Sequence, residues 1–143
     1  MLQSAQSDEA RAIAHKHLYE HAGVEWSADF QALVWVDENN EIEWVIGYNA
    51  FIGKTCQMHV VNLKDSYCPK GLLFGAFDYP FNFLGLEKVF GIVNSFNTRA
   101  MEYDKKVGFK EVIRFPGMHG DGGDLVVFEM NKVDCRWIKE RKK

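Results

Sequence analysis

Chemistry in this chain has to come from a few polar residues set among apolar ones. Asn97 lies between an apolar run, Val89 to Val93, and a segment carrying Ala100, Met101, Tyr103 and Asp104 at helical spacing. That is the setting of a helix N-cap. A strand end beside a helix start presents unpaired backbone N–H groups, a geometry that holds ligands rich in acceptors. Lys70-Gly71 follows Pro69, where an open helix start and an adjacent cation attract phosphate. The same residues also fit a surface loop without a ligand. His17-Leu18-Tyr19-Glu20-His21 fits H-x-x-E-H, in which two His one turn apart hold zinc and Glu takes a proton from water. That chemistry needs a further carboxylate from a following helix, whereas the residues after Gly23 alternate like strands. The pattern therefore reads as a half-exposed helix face, and no metal is assigned.

The elements that position these residues can be read in order. Ser7-Asp8-Glu9 starts a helix with Ala10, Ile13, Ala14, His17, Leu18 and His21 on one face, ending at Gly23. Residues 30–36 alternate as a strand, Asp37 to Asn40 is a turn, and Glu41 to Ile52 places Ile42, Trp44, Ile46, Tyr48, Ala50 and Ile52 on one side. Gly47 marks a bulge or a close approach. Gly53-Lys54 turns the chain into a third strand, Thr55 to Leu63, giving an antiparallel meander with Trp35 and Trp44 as core candidates. A helix from Pro69 to about Phe83 is kinked or broken at Pro80. Val89, Phe90, Ile92 and Val93 around Gly91 predict a strand buried on both faces. Asn97 caps the next helix, Gly108 closes it and Phe109 opens another strand. Residues 109–115 and 125–130 form a strand pair around 116–124, whose glycines predict a mobile flap. The Lys-Glu-Arg-Lys-Lys end is a solvated basic tail or weak contact patch.

The run V-N-S-F-N-T-R-A-M-E-Y-D-K-K-V-G-F resembles the late segment of the GNAT acyl-CoA-dependent N-acetyltransferases, a strand, then N-x-x-A, then an aromatic-bearing helix ending in G-F. Asn97, Ala100, Tyr103, Gly108 and Phe109 carry the match, and a looser likeness extends over residues 30–130. The resemblance implies an α/β (α+β) fold, a mixed, mostly antiparallel sheet flanked by helices, as a single domain over 1–143. It implies direct transfer of an acetyl group from acetyl-CoA to a primary amine, with coenzyme A contacted by Asn97, by Lys70 and Gly71, and by backbone N–H groups around Val60 and Val61. The family's Q/R-x-x-G-x-G/A phosphate pattern is absent. A base near the amine is required, and His59, with an ordinary pKa of about 6.5, suits it; a hydrogen-bonded core histidine is the competing reading. Many members carry a Tyr seven residues after the capping Asn to protonate the leaving thiolate. Asp104 stands there instead, and an ordinary carboxylate of pKa about 3.9 would repel a thiolate. Tyr103 is about 100° away on the helix and points elsewhere. Either Asp104 is desolvated, or another group protonates the sulfur, or turnover is poor.

Composition bounds the alternatives. The 143 residues are 47% hydrophobic, enough for one independently folding core. Seventeen Lys+Arg against 20 Asp+Glu give a net charge of −3, which offers no general attraction to nucleic acid or anionic membranes. Cys56, Cys68 and Cys135 have no C-x-x-C spacing, so neither a disulfide framework nor a thiolate metal site is expected and a reducing cytoplasm suits the chain. No leader or membrane span is expected. Expected partners are acetyl-CoA and an amine, with a homodimer permitted. The competing class is a GNAT-shaped binding or structural protein without catalysis. It is suggested by the short N-terminal region, lacking the usual strand and helix pair, and by Cys-Arg-Trp near the end, which are similar to small phage-encoded GNAT-like proteins, including virion components.

Overall fold

The computed structural model describes residues 1–139, so the basic tail lies outside the described residues apart from the start of that run. Strand β1 (Leu2–Ser4) leads into helix α1 (Asp8–Ala22), then β2 (Gln31–Val36), β3 (Ile42–Ile52) and β4 (Thr55–Asn62). Helix α2 (Lys70–Asp78) runs on as a π-helical turn, Tyr79–Phe83, followed by β5 (Lys88–Asn94), α3 (Thr98–Val107), β6 (Lys110–Phe115), β7 (Leu125–Asn131), a 3-10 turn and α4 (Arg136–Lys139). The strands form one seven-stranded sheet in the order β1-β2-β3-β4-β5-β7-β6, antiparallel except where β4 meets β5. This is the mixed sheet with flanking helices that the resemblance implied. A strand does precede α1, contrary to the sequence reading, but α1 is the only helix between β1 and β2.

The sheet has two different faces. Helix α1 packs Ala14 and Leu18 on one, with Phe30, Val45 and Val61. Helices α2, α3 and α4 pack on the other, where Leu72, Phe77, Phe81, Met101, Val107 and Ile138 meet Tyr48, Val89 and Phe128. Ser7 caps α1 by accepting from Ala10 N at 3.0 Å, and Gly23 ends it at φ 67°. Ile13 and His21 are exposed, so the buried stripe is narrower than the sequence suggested. In β3 the alternation holds through Tyr48 and then breaks, because Ala50 at φ 52° bulges the strand between Asn49 and Ile52. Pro80 turns the helix π-helical instead of ending it, and Leu84 N–H reaches back to the Tyr79 carbonyl at 2.9 Å.

Gly47 is a close-approach point. A Cβ there would lie 2.4 Å from Leu18 Cδ1 and 2.9 Å from Phe30 Cε1. Both neighbours are fully buried, so neither can swing aside freely. Gly47→Ala should therefore destabilise the protein by about 1–3 kcal/mol through overpacking, measured by chemical denaturation; an unchanged midpoint would mean that α1 shifts off the sheet at no cost.

Candidate active site

Strands β4 and β5 pair only at Thr55–Lys88, Cys56–Val89 and Gln57–Phe90, and beyond that they diverge. Each keeps its other neighbour to the end, β4 paired to β3 as far as Asn62 and β5 paired to β7 as far as Asn94. The result is a wedge-shaped gap inside the sheet. Leu63 N–H donates to the Glu43 carbonyl at 2.7 Å, and backbone direction alternates along a strand. Val61 and His59 therefore bond toward β3, while Val60 turns its N–H and carbonyl into the gap. Of the two valines named from sequence, only Val60 faces the opening; Val61 is buried in the core under α1.

His59 and Asp104 flank this gap on opposite faces of the sheet. Cys56, Met58 and Val89 belong to the core under α2 and α3, so Gln57 and His59 project to the α1 face. His59 Nε2 lies 2.8 Å from Asn49 Oδ1. With the amide oxygen accepting, Nε2 carries the proton and Nδ1 keeps its lone pair. Burial lowers the His59 pKa to about 4, so the ring is neutral at ordinary pH. His59 is thus a buried, hydrogen-bonded histidine whose Nε2 is committed to Asn49. Asn49 was not singled out in the sequence; its only signal was a polar residue just before a bulge.

Asp104 lies over Gly91 of β5, where a Cβ would come 3.6 Å from its Oδ2. Burial raises its pKa to about 6, which is the desolvated state that the sequence left as one of its options. Tyr103 points away, packed against the core, and its hydroxyl is coupled to Cys68 by a hydrogen bond, while burial pushes its pKa up. The strand that carries Gly91 is buried on one face only, not both, since Ile92 is 43% exposed.

At the wide end of the gap, Asn97 accepts from Ala100 N at 3.1 Å and so caps α3. Gly108 N–H closes the helix on the Asp104 and Lys105 carbonyls. Pro69 precedes α2 and offers no capping side chain, leaving the helix start open. Lys70 is exposed there, and α2 sits against Trp35, whose Cη2 would be in ordinary contact, 3.4 Å, with a Cβ added at Gly71. In the preceding loop Ser66 Oγ is buried without a partner. Arg99 of α3 pairs with Asp65 of that loop, linking the ends of the two diverging strands. The glycine-rich segment is tied down by its carboxylates. Gly117 N–H donates to Asp124, and Gly123 N–H and Asn94 Nδ2 donate to Asp121. His17 is half-buried and His21 exposed, with Glu20 3.9 Å from Lys16; among the described residues no three metal-ligating side chains converge. Among the described residues the three cysteines form no disulfide, and no described helix is long and apolar enough to cross a membrane.

No protein-family model and no curated protein matches the chain. Solved structures do. Mutant forms of the spermidine/spermine N-acetyltransferase SpeG from Vibrio cholerae superpose with a TM-score of 0.78 at 14% identity, over 100% of this chain and 98% of that one. A second SpeG mutant gives 0.77 at 13% identity over 99% of each chain. A structure described as a phosphinothricin N-acetyltransferase gives 0.67 at 21% identity, over 92% of this chain and 97% of its own. At 13% to 21% identity what is shared is architecture: this chain has the GNAT fold of those N-acetyltransferases.

Proposed function

We propose that the protein is an N-acetyltransferase that moves an acetyl group from acetyl-CoA to a primary amine held beside the gap between β4 and β5. The observation that carries this reading is the gap itself, with a free backbone N–H at Val60, a neutral buried imidazole on one face and a desolvated carboxyl on the other. Acetyl-CoA, when bound, supplies an acyl group already activated as a thioester. The residues suit it: the uncapped N–H groups at Lys70 and Gly71, the Lys70 cation and the orphaned Ser66 hydroxyl are a donor set for phosphate. Asn97 sits at the opposite lip. His59 Nδ1 takes the proton from the amine. Val60 N–H points into the gap from a strand held by its β3 ladder, and so stabilises negative charge developing there without reorganising. Asp104, in its acid form, holds a proton for the departing sulfur.

Coenzyme A at 100 times its dissociation constant should stabilise the fold by about 2.7 kcal/mol, read as a rise in Tm. Absence of any shift with millimolar acetyl-CoA, together with no heat on titration, removes the transferase reading. Binding without turnover favours the other class, a binding or structural protein of the same fold. Asn97→Ala should cost about 1 kcal/mol through the lost cap and weaken coenzyme A binding as well. If calorimetry shows an unchanged affinity in that variant, Asn97 is a cap and nothing more.

A further inference from the structure

The acceptor side of the gap opens onto an uncovered apolar surface. Helix α1 packs chiefly on β2, β3 and β4, and the other helices lie on the opposite face. On the α1 face, the half-sheet β5-β7-β6 aligns Phe90, Glu129 and Lys110 in one row, Ile92, Val127 and Ile113 in the next, and Asn94, Leu125 and Phe115 in the third. Ile92 is 43% exposed, Ile113 46% and Phe115 43%. The rows begin at the gap: Phe90 is the last residue paired with Gln57, and two residues further along each strand Ile92 and His59 project to this same face.

Size and charge restrict what can lie there. Three strands about 4.8 Å apart, with same-face rows about 7 Å apart, offer roughly 200 Å². A stable protein interface needs about 800 Å² per partner, so the surface suits a small molecule. A polycation would need unpaired carboxylates along its length. The three rows hold a single carboxylate, Glu129, paired with Lys88 at 2.8 Å; beyond them Asp124 is paired with Arg114, while Asp121 and Asp29 are held by neutral donors, Asn94 and Gly123 N–H, and Ser27 and Phe51 N–H.

Resting on the transferase reading above, we propose that the acceptor is a monoamine carried on an apolar, ring-sized body, seated on Ile92, Val127 and Ile113 with its nitrogen at His59. Its nitrogen forms a bond to the acetyl carbonyl carbon, the carbon–sulfur bond breaks with its electron pair on sulfur, one amine proton goes to His59 Nδ1, and the sulfur takes one proton from Asp104. The products are an N-substituted acetamide and the free thiol of coenzyme A.

The test uses the full chain with acetyl-CoA and measures free thiol released with 2-phenylethylamine and with spermidine. Phenylethylamine should have the higher kcat/KM. Ile113→Glu, at the outer end of the row it shares with Ile92 and Val127, should raise its KM by roughly 10- to 200-fold, the range for losing a hydrophobic pocket contact, with kcat kept. Preference for spermidine, or an unchanged KM in Ile113→Glu, overturns the proposal. If neither amine is acetylated, methyl NMR of Ile92, Val127 and Ile113 during a phenylethylamine titration decides. Saturable shifts at these methyls keep the apolar seat while the transferase reading fails, and no shifts overturn the seat itself.

Discussion

With acetyl-CoA and a competent amine, His59→Gln should turn over about 10²- to 10⁴-fold more slowly than the parent protein, the usual contribution of a positioned base. Gln matches the ring's size and can still donate to Asn49, so Tm at neutral pH should change little. Burial lowers the His59 pKa to about 4 against about 6.5 in an unfolded chain. The unfolded state therefore binds the extra proton between those values. The stability that His59 contributes is complete above pH 6.5 and is lost as pH falls toward 4. At pH 4.5 the Gln variant should gain about 2–3 kcal/mol relative to the parent, compared with the difference at pH 7. Denaturation at both pH values checks that arm, and stopped-assay turnover checks the other. An unchanged kcat would place the base elsewhere.

Asp104→Asn should abolish turnover and at the same time stabilise the protein at neutral pH. Its folded pKa of about 6 lies above the unfolded value of about 3.9, so the folded state holds the proton longer. The stability associated with this group is complete below pH 3.9 and is lost as pH rises through 6; the loss reaches about 2–3 kcal/mol at pH 7. Asn is never ionised and escapes the loss, so the variant should be more stable than the parent at pH 7 and should lose that advantage at pH 3.5. If the protonated acid is required, parent kcat should fall about tenfold per pH unit above 6. With His59 losing its free lone pair near pH 4, the active window lies between the two. An Asn variant that keeps the parent's rate and pH profile would show that the sulfur is protonated by another group.

Much of this was legible because it is local. Ser7, Gly23, Asn97 and Gly108 are capping residues, and caps depend on a few neighbouring residues, so each helix end they marked is where the structure has it. The meander followed from Asp37 to Asn40 and Gly53-Lys54 for the same reason. What sequence could not carry is the divergence of β4 from β5. Nothing in Met58 to Asn62 or Gly91 to Asn94 announces that these strands stop pairing, because pairing joins segments about 30 residues apart. The exposure of Val60 N–H depends on that separation, while the bond from His59 to Asn49 comes from the β3–β4 register and the contact of Asp104 with Gly91 from the seating of α3 on β5. The expectation of a strand buried on both faces failed at Ile92 because the apolar run continues past the point where anything covers it. The glycine-rich loop misled in the other direction, since Asp121 and Asp124 supply the hydrogen bonds that its composition seemed to lack.

The three residue pairs that join β4 to β5 also divide the sheet into two units, with one core cluster running beneath both. One contains the meander with α1. The other contains β5, β7 and β6. The meander closes through short turns, whereas the seam and the β5–β7 ladder both join distant segments, and the seam has only three residue pairs to set against that loop-closure entropy. Native-state amide exchange should find the seam weaker than either ladder, with Lys88 and Phe90, whose N–H groups face β4, exchanging through openings that leave Val45 and Val126 protected. Any molecule that spans the gap would bind both units at once and bring their separate opening free energies toward a common value.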